Sequence, residues 1–113
     1  MALRGVPGRE TVTADELRRR LASGEAPLII DVREPHEYAA GHIPGAVLLP
    51  LGELPVRHRE LPRDREIVLV CRSGNRSGLA QEWLQSLGFH HARNLVGGML
   101  RWSGPVTYGM DRR

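Results

Sequence analysis

At 113 residues, 41% hydrophobic and 26% charged, the chain is the size of one ordinary domain, and its composition excludes a wholly disordered chain. Sixteen basic residues, all of them Arg, against 13 acidic ones leave a net charge of only +3; the acids interleave with the arginines in "RHRELPRDRE" and aromatics are 4%, so no basic stripe for nucleic acid is present. No apolar run reaches the length of a membrane span, and "MALRGVPGRE" lacks the apolar stretch of a secretory signal, so a cytoplasmic chain with no nucleic-acid or membrane partner is expected.

Residues 1–10 match no pattern and are expected to form a flexible N-terminal arm, followed by one domain over 11–106 and a C-terminal tail over 107–113. In "TVTADELRRRLASGE", Thr13 is a plausible helix cap, Leu17 and Leu21 point inward and Gly24 marks the end. Leu28 to Ile30 with Val32 form an apolar run of strand length. "PHEYAAG" suits a short helix with Pro35 in its first turn and Gly41 after its end. A turn then leads to a short strand over Ala46–Leu49, and "LGELPVRHREL" has helical spacing interrupted by Pro55. "EIVLVC" is the cleanest strand of the chain. From Arg76 or Ser77 to Leu87, the residues Leu79, Ala80, Trp83, Leu84 and Leu87 recur at helical spacing, which places Trp83 in the core, and Gly88 is a natural stop. "ARNLVGG" reads as a last strand and "GMLRWSG" as a short helix whose Met99 and Trp102 pack inward.

Apolar strands alternating with helices predict an α/β fold, a central, mostly parallel sheet with helices on both faces. Functional loops of such sheets gather at the carboxyl ends of the strands, where both "DVRE" and "CRSGNRS" fall.

Cys71 is the only cysteine, so it makes neither an internal disulfide nor a multi-cysteine zinc site. His90 and His91 are adjacent and would face opposite ways on a strand, so no metal is expected. A lone cysteine after an apolar run is commonly a small buried hydrophobe. The loop that follows favours a reactive thiol instead. Gly74 opens backbone conformations closed to other residues, Ser73, Asn75 and Ser77 are turn-tolerant, and such a loop entering a helix can aim several N–H groups at an anion. Arg72 and Arg76 add positive charge, so the Cys71 pKa should fall below that of a free thiol. A cysteine phosphatase usually places five residues between Cys and Arg; here four, "RSGN", separate Cys71 from Arg76, which fits a smaller anion.

The chain resembles the single-domain rhodaneses, a sulfurtransferase family. The resemblance rests on "LIIDVREPHEYAAGHIPGAVLLPLGEL", "IVLVCRSGNRSGLAQEWLQSLGF" and "ARNLVGGMLRW", in that order from Leu28 to Trp102. It implies the rhodanese fold and a double displacement. Cys71 takes the outer sulfur of an anionic donor such as thiosulfate, and the persulfide passes it to cyanide or a thiol, with a protein acceptor also open. No metal or organic cofactor is implied. The backbone of Arg72, Ser73, Gly74, Asn75, Arg76 and Ser77 would bind the anion and persulfide, with Arg72 and Arg76 attracting the donor. Asp31 would brace the loop by hydrogen bonds, and Arg33 would contact Glu37, four residues on. His42 would fix the "GHIPG" turn. The alternatives are a noncatalytic module of the same fold and a small-anion cysteine phosphatase or arsenate reductase.

Overall fold

Ile67–Val70 is apolar at every position because both of its faces are covered. A computed structural model describes residues 11–25 and 27–110; the expected flexible arm over residues 1–10 lies outside them, as do residues 111–113. The elements used below are β1 (Thr11–Val12), α1 (Ala14–Ala22), β2 (Leu28–Asp31), α2 (Pro35–Ala39), β3 (Val47–Leu48), α3 (Leu54–Arg57), β4 (Ile67–Val70), α4 (Asn75–Ser86), β5 (Ala92–Leu95) and α5 (Gly98–Arg101). The five strands form one sheet in the order β1-β5-β4-β2-β3, every pairing parallel.

Side-chain alternation along the strands divides the core in two. Ile30, Ile67, Leu69, Cys71 and Ala92 pack with Leu54 of α3 and with Ala80 and Leu84 of α4. Ile29, Val68, Val70 and Leu95 pack with Leu17 of α1 and Tyr38 of α2, with Met99 and Trp102 partly buried against them. Helices therefore cover both faces.

Local signals account for most of the elements. Thr13 and Glu16 form a reciprocal capping box, Glu16 N to Thr13 Oγ1 at 3.1 Å and Thr13 N to Glu16 Oε1 at 3.2 Å, an arrangement worth about 1 kcal/mol. Pro35 occupies the first turn of α2, where its missing N–H costs nothing. The 51–60 segment resolves into a 3-10 turn, the single-turn α3 and a second 3-10 turn, with Pro55 in the first turn of α3. The expected strand over 46–49 shortens to Val47–Leu48.

Trp83 corrects a sequence expectation. It is 36% exposed, and its ring stands edge-to-face with that of His58, at 5.2 Å between centroids. The buried stripe of α4 is Ser77, Ala80, Gln81 and Leu84. Ser77 faces Cys71 on the same side as Ala80 and Leu84, and this rotation turns Leu79 and Trp83 outward.

Candidate active site

Beside β2, β3 lies on one side and β4 on the other, so the chain reverses its progress across the sheet there. Asp31 pairs with Val70, so β2 and β4 end level and their exit loops share one edge. Cys71 is the first residue after β4, and Gly74, with φ at +101°, turns the chain into α4.

The orientation of that loop is imposed from behind. Met99 N–H donates to the Cys71 carbonyl at 2.9 Å and Leu100 N–H to the Arg72 carbonyl at 3.0 Å. Gly98 permits this approach: its φ is +56°, and a Cβ there would overlap both carbonyls. With its carbonyls turned toward α5, the loop directs donors at sulfur. Cys71 Sγ accepts from Gly74 N at 3.1 Å and Ser77 N at 3.3 Å, with Ser77 Oγ also at 3.3 Å.

Burial pushes the Cys71 thiol up, but hydrogen bonds from the Ser77 hydroxyl and from the backbone N–H groups of Ser77, Gly74 and Ser73 outweigh it and leave the pKa below the ordinary thiol value. The lowering comes chiefly from these donors, with the charge of Arg76 in smaller coulombic contact with the sulfur. Cys71 is itself buried at the floor of the loop. What separates it from an inert packed thiol is this polar company.

The remaining expected residues are distributed as follows. Arg72, Ser73 and Asn75 are exposed on the rim of the loop. Arg76 does not stand free for an anion: its Nη1 and Nη2 bind Glu37 Oε1 and Oε2 at 2.8 and 2.9 Å. That pairing, with a further bond from Glu34 N, holds the Glu37 carboxyl at about 2 against some opposition from burial. The expected Arg33–Glu37 contact does not form as an ion pair, although the charge of Arg33 is close enough to help lower the Glu37 carboxyl. Arg33 turns back to Asp31, Nε to Oδ1 at 2.8 Å and Nη2 to Oδ2 at 2.7 Å, and donates to the Gly41 carbonyl at 2.9 Å. Asp31 is fully buried and also accepts the Arg33 N–H, so its hydrogen bonds order the β2 exit rather than reaching the Cys71 loop. A buried carboxylate requires such a partner, and Arg33, two residues on, is within reach. The link between the two exit loops is Glu37–Arg76.

Asn94 escaped the sequence reading. From β5 its Oδ1 meets Ser77 Oγ at 2.6 Å and its Nδ2 donates to the Gly74 carbonyl at 3.2 Å. The signal was an uncharged amide between Arg93 and the buried Leu95, on the strand next to the cysteine strand. His42 is stacked on Tyr38 at 3.6 Å, with Nδ1 on the Tyr38 carbonyl and Nε2 on Thr107 Oγ1, both at 2.8 Å. Both ring nitrogens are thus engaged, and the neighbouring 710 Å³ cleft beside Val47, Tyr108 and Met110 has no free chemical group from this ring. Among the described residues no three His, Cys, Asp or Glu side chains converge as a metal site, and no helix is long and apolar enough to cross a membrane.

Residues 13–105 match the family model described as Rhodanese-like domain. The chain belongs to the rhodanese-like family. A relative named Sulfurtransferase, from Allochromatium vinosum, is 41% identical over 92 residues, covering 81% of this chain and 86% of its own. The rhodanese-like domain protein of Staphylococcus aureus superposes with a TM-score of 0.82 at 31% identity, over 89% of this chain and 99% of that one. The thiosulfate sulfurtransferase of Pseudomonas aeruginosa gives 0.81 at 25% identity over 94% of this chain, which corresponds to 21% of that longer enzyme. The all-parallel sheet with helices on both faces is accordingly the rhodanese fold.

Proposed function

We propose that the chain is a sulfurtransferase that carries sulfane sulfur on Cys71. The Cys71 thiolate attacks the outer sulfur of an anionic donor such as thiosulfate; the S–S bond of the donor breaks and sulfite leaves with the electron pair. The cysteine persulfide then gives its outer sulfur to cyanide, forming thiocyanate, or to a thiol on a small molecule or a protein, and the thiolate returns. Charge is conserved at each displacement, so no redox cofactor is required.

The observation that carries this reading is the sulfur at the floor of a main-chain donor cradle, with Gly74 N and Ser77 N both aimed at it. Main-chain donors at the start of a helix suit both the thiolate and an anionic leaving group. Arg72, exposed at the rim, would draw the donor in. Arg76 supports the loop through Glu37 instead, and this tie disfavours a phosphatase, whose loop arginine has to face the phosphoryl group. A lone thiol suits a reducing compartment such as the cytoplasm.

Intact-protein mass spectrometry after incubation with thiosulfate tests the proposal. A gain of one sulfur atom by the wild type, absent in Cys71→Ser and discharged by cyanide, is the expected result. No gain with thiosulfate or any other sulfane donor would overturn it and favour a noncatalytic module.

A further inference from the structure

Ser77 has one hydroxyl proton and two neighbours that want it. Asn94 Oδ1 lies 2.6 Å from Ser77 Oγ, and Cys71 Sγ lies 3.3 Å away. Asn94 cannot be turned over to relieve the competition. Its Nδ2 donates to the Gly74 carbonyl, and a flip would set oxygen against that carbonyl oxygen. In the thiol the short contact assigns the proton to Asn94, leaving a Ser77 lone pair toward sulfur; the hydroxyl bond to Sγ that lowers the Cys71 pKa forms once the sulfur is ionised.

That arrangement suits a protonated or sulfur-bearing Sγ. In the thiol, S–H donates to Ser77 Oγ, which donates onward to Asn94. Loss of the thiol proton to solvent leaves a negative Sγ facing the Ser77 lone pair until the hydroxyl swings from Oδ1 to Sγ. In a persulfide the charge sits on the outer sulfur, so the hydroxyl can return to Asn94. We propose that Asn94 is a positioning residue acting through Ser77. By holding the hydroxyl in the orientation that favours an uncharged Sγ, it restrains thiolate formation and eases the return to the persulfide. The persulfide part rests on the sulfurtransferase reading; the effect on the thiolate does not.

The charged groups on the loop and on the elements packed against it are Arg72 in the loop, Arg76 on α4 paired with Glu37 of α2, Glu34 before α2, the Asp31–Arg33 pair at the end of β2, Arg93 on β5 paired with Glu66, and Arg101 on α5. None is altered by the substitutions that test the idea. Those are Asn94→Ala, Ser77→Ala and the double variant, each followed by the pH dependence of Cys71 alkylation with iodoacetamide. A simple tether through the Gly74 carbonyl would act equally with or without the Ser77 hydroxyl. The proposed role would not: Asn94→Ala should place the alkylation midpoint about 0.5 to 1 on the pH scale lower, relative to its effect in the Ser77→Ala background, the span of one exchanged hydrogen bond. Equal effects in the two backgrounds, or a coupling of opposite sign, would overturn the proposal. If Asn94→Ala does not fold, Asn94→Leu, closer in volume and equally without polar atoms, completes the same cycle. Alkylation requires no sulfur donor, so a failure here is distinct from a failure of sulfur transfer.

Discussion

Replacing Glu37 by Gln removes the charge that ties α2 to the start of α4 while nearly preserving shape. In the folded protein the Glu37 carboxyl is lowered from 4.5 to about 2, chiefly by the two hydrogen bonds of Arg76. A tenfold change in acidity corresponds to about 1.4 kcal/mol, which sets a ceiling of roughly 3.5 kcal/mol on the pair at neutral pH. Glu37 and Arg76 keep 20% and 35% of their side chains exposed, and solvent screening reduces the expected loss to about 1–2 kcal/mol. Because the folded pKa is the lower one, this stability is fully present above the unfolded value near 4.5 and is lost as pH falls toward 2. Urea unfolding at low salt, at pH 7 and pH 3, should therefore show Glu37→Gln less stable at pH 7, with more than half of the gap closed at pH 3. A gap of the same size at both values would refute the ionic account and leave only lost packing.

The midpoint of Cys71 alkylation in the wild type should lie below the free-thiol value of about 8.5, and one at or above it would mean that burial outweighs the loop's donors. Gly98→Ala should cost about 2–4 kcal/mol in chemical denaturation, since the new Cβ strains a positive φ and overlaps the Cys71 and Arg72 carbonyls; a loss under about 1 kcal/mol would show that the loop is not pressed against α5. Leu84→Ala should cost about 2–5 kcal/mol and Trp83→Ala less than about 1 kcal/mol, because only the first is fully buried. The reverse order would mean that α4 is rotated toward the face the sequence suggests.

The sheet was legible because β2 up to Ile30 and β4 along its whole length are apolar runs covered on both faces, and because helix caps such as Thr13 and Gly24 carry local chemistry. The rotation of α4 was legible only in part: Ala80 and Leu84 turn inward as their spacing suggests, but the polar Ser77, on Cys71, and Gln81 share that face while Leu79 and Trp83 turn outward. Ion-pair partners were misread for a similar reason. Arg33 and Glu37 stand four apart in sequence, but each meets a partner that chain geometry brings closer: Asp31 within its own exit loop, Arg76 across 39 residues. Asn94 shows the same limit, because one asparagine in a strand does not announce which neighbouring loop it will bind. The loop around Cys71 was recognisable as a whole because its small residues, glycine and arginines are contiguous.

The pairing of the Cys71 and Arg72 carbonyls with the N–H groups of Met99 and Leu100 has a wider consequence. The donors that meet the sulfur are mostly main chain, whereas the side chains of Arg72, Ser73 and Asn75 point to solvent. On the proposed function, recognition and reactivity are thereby housed in separate parts of one short loop. Substitution could then redraw the outer ring, and with it the choice of molecules admitted, while leaving the donors beneath in place.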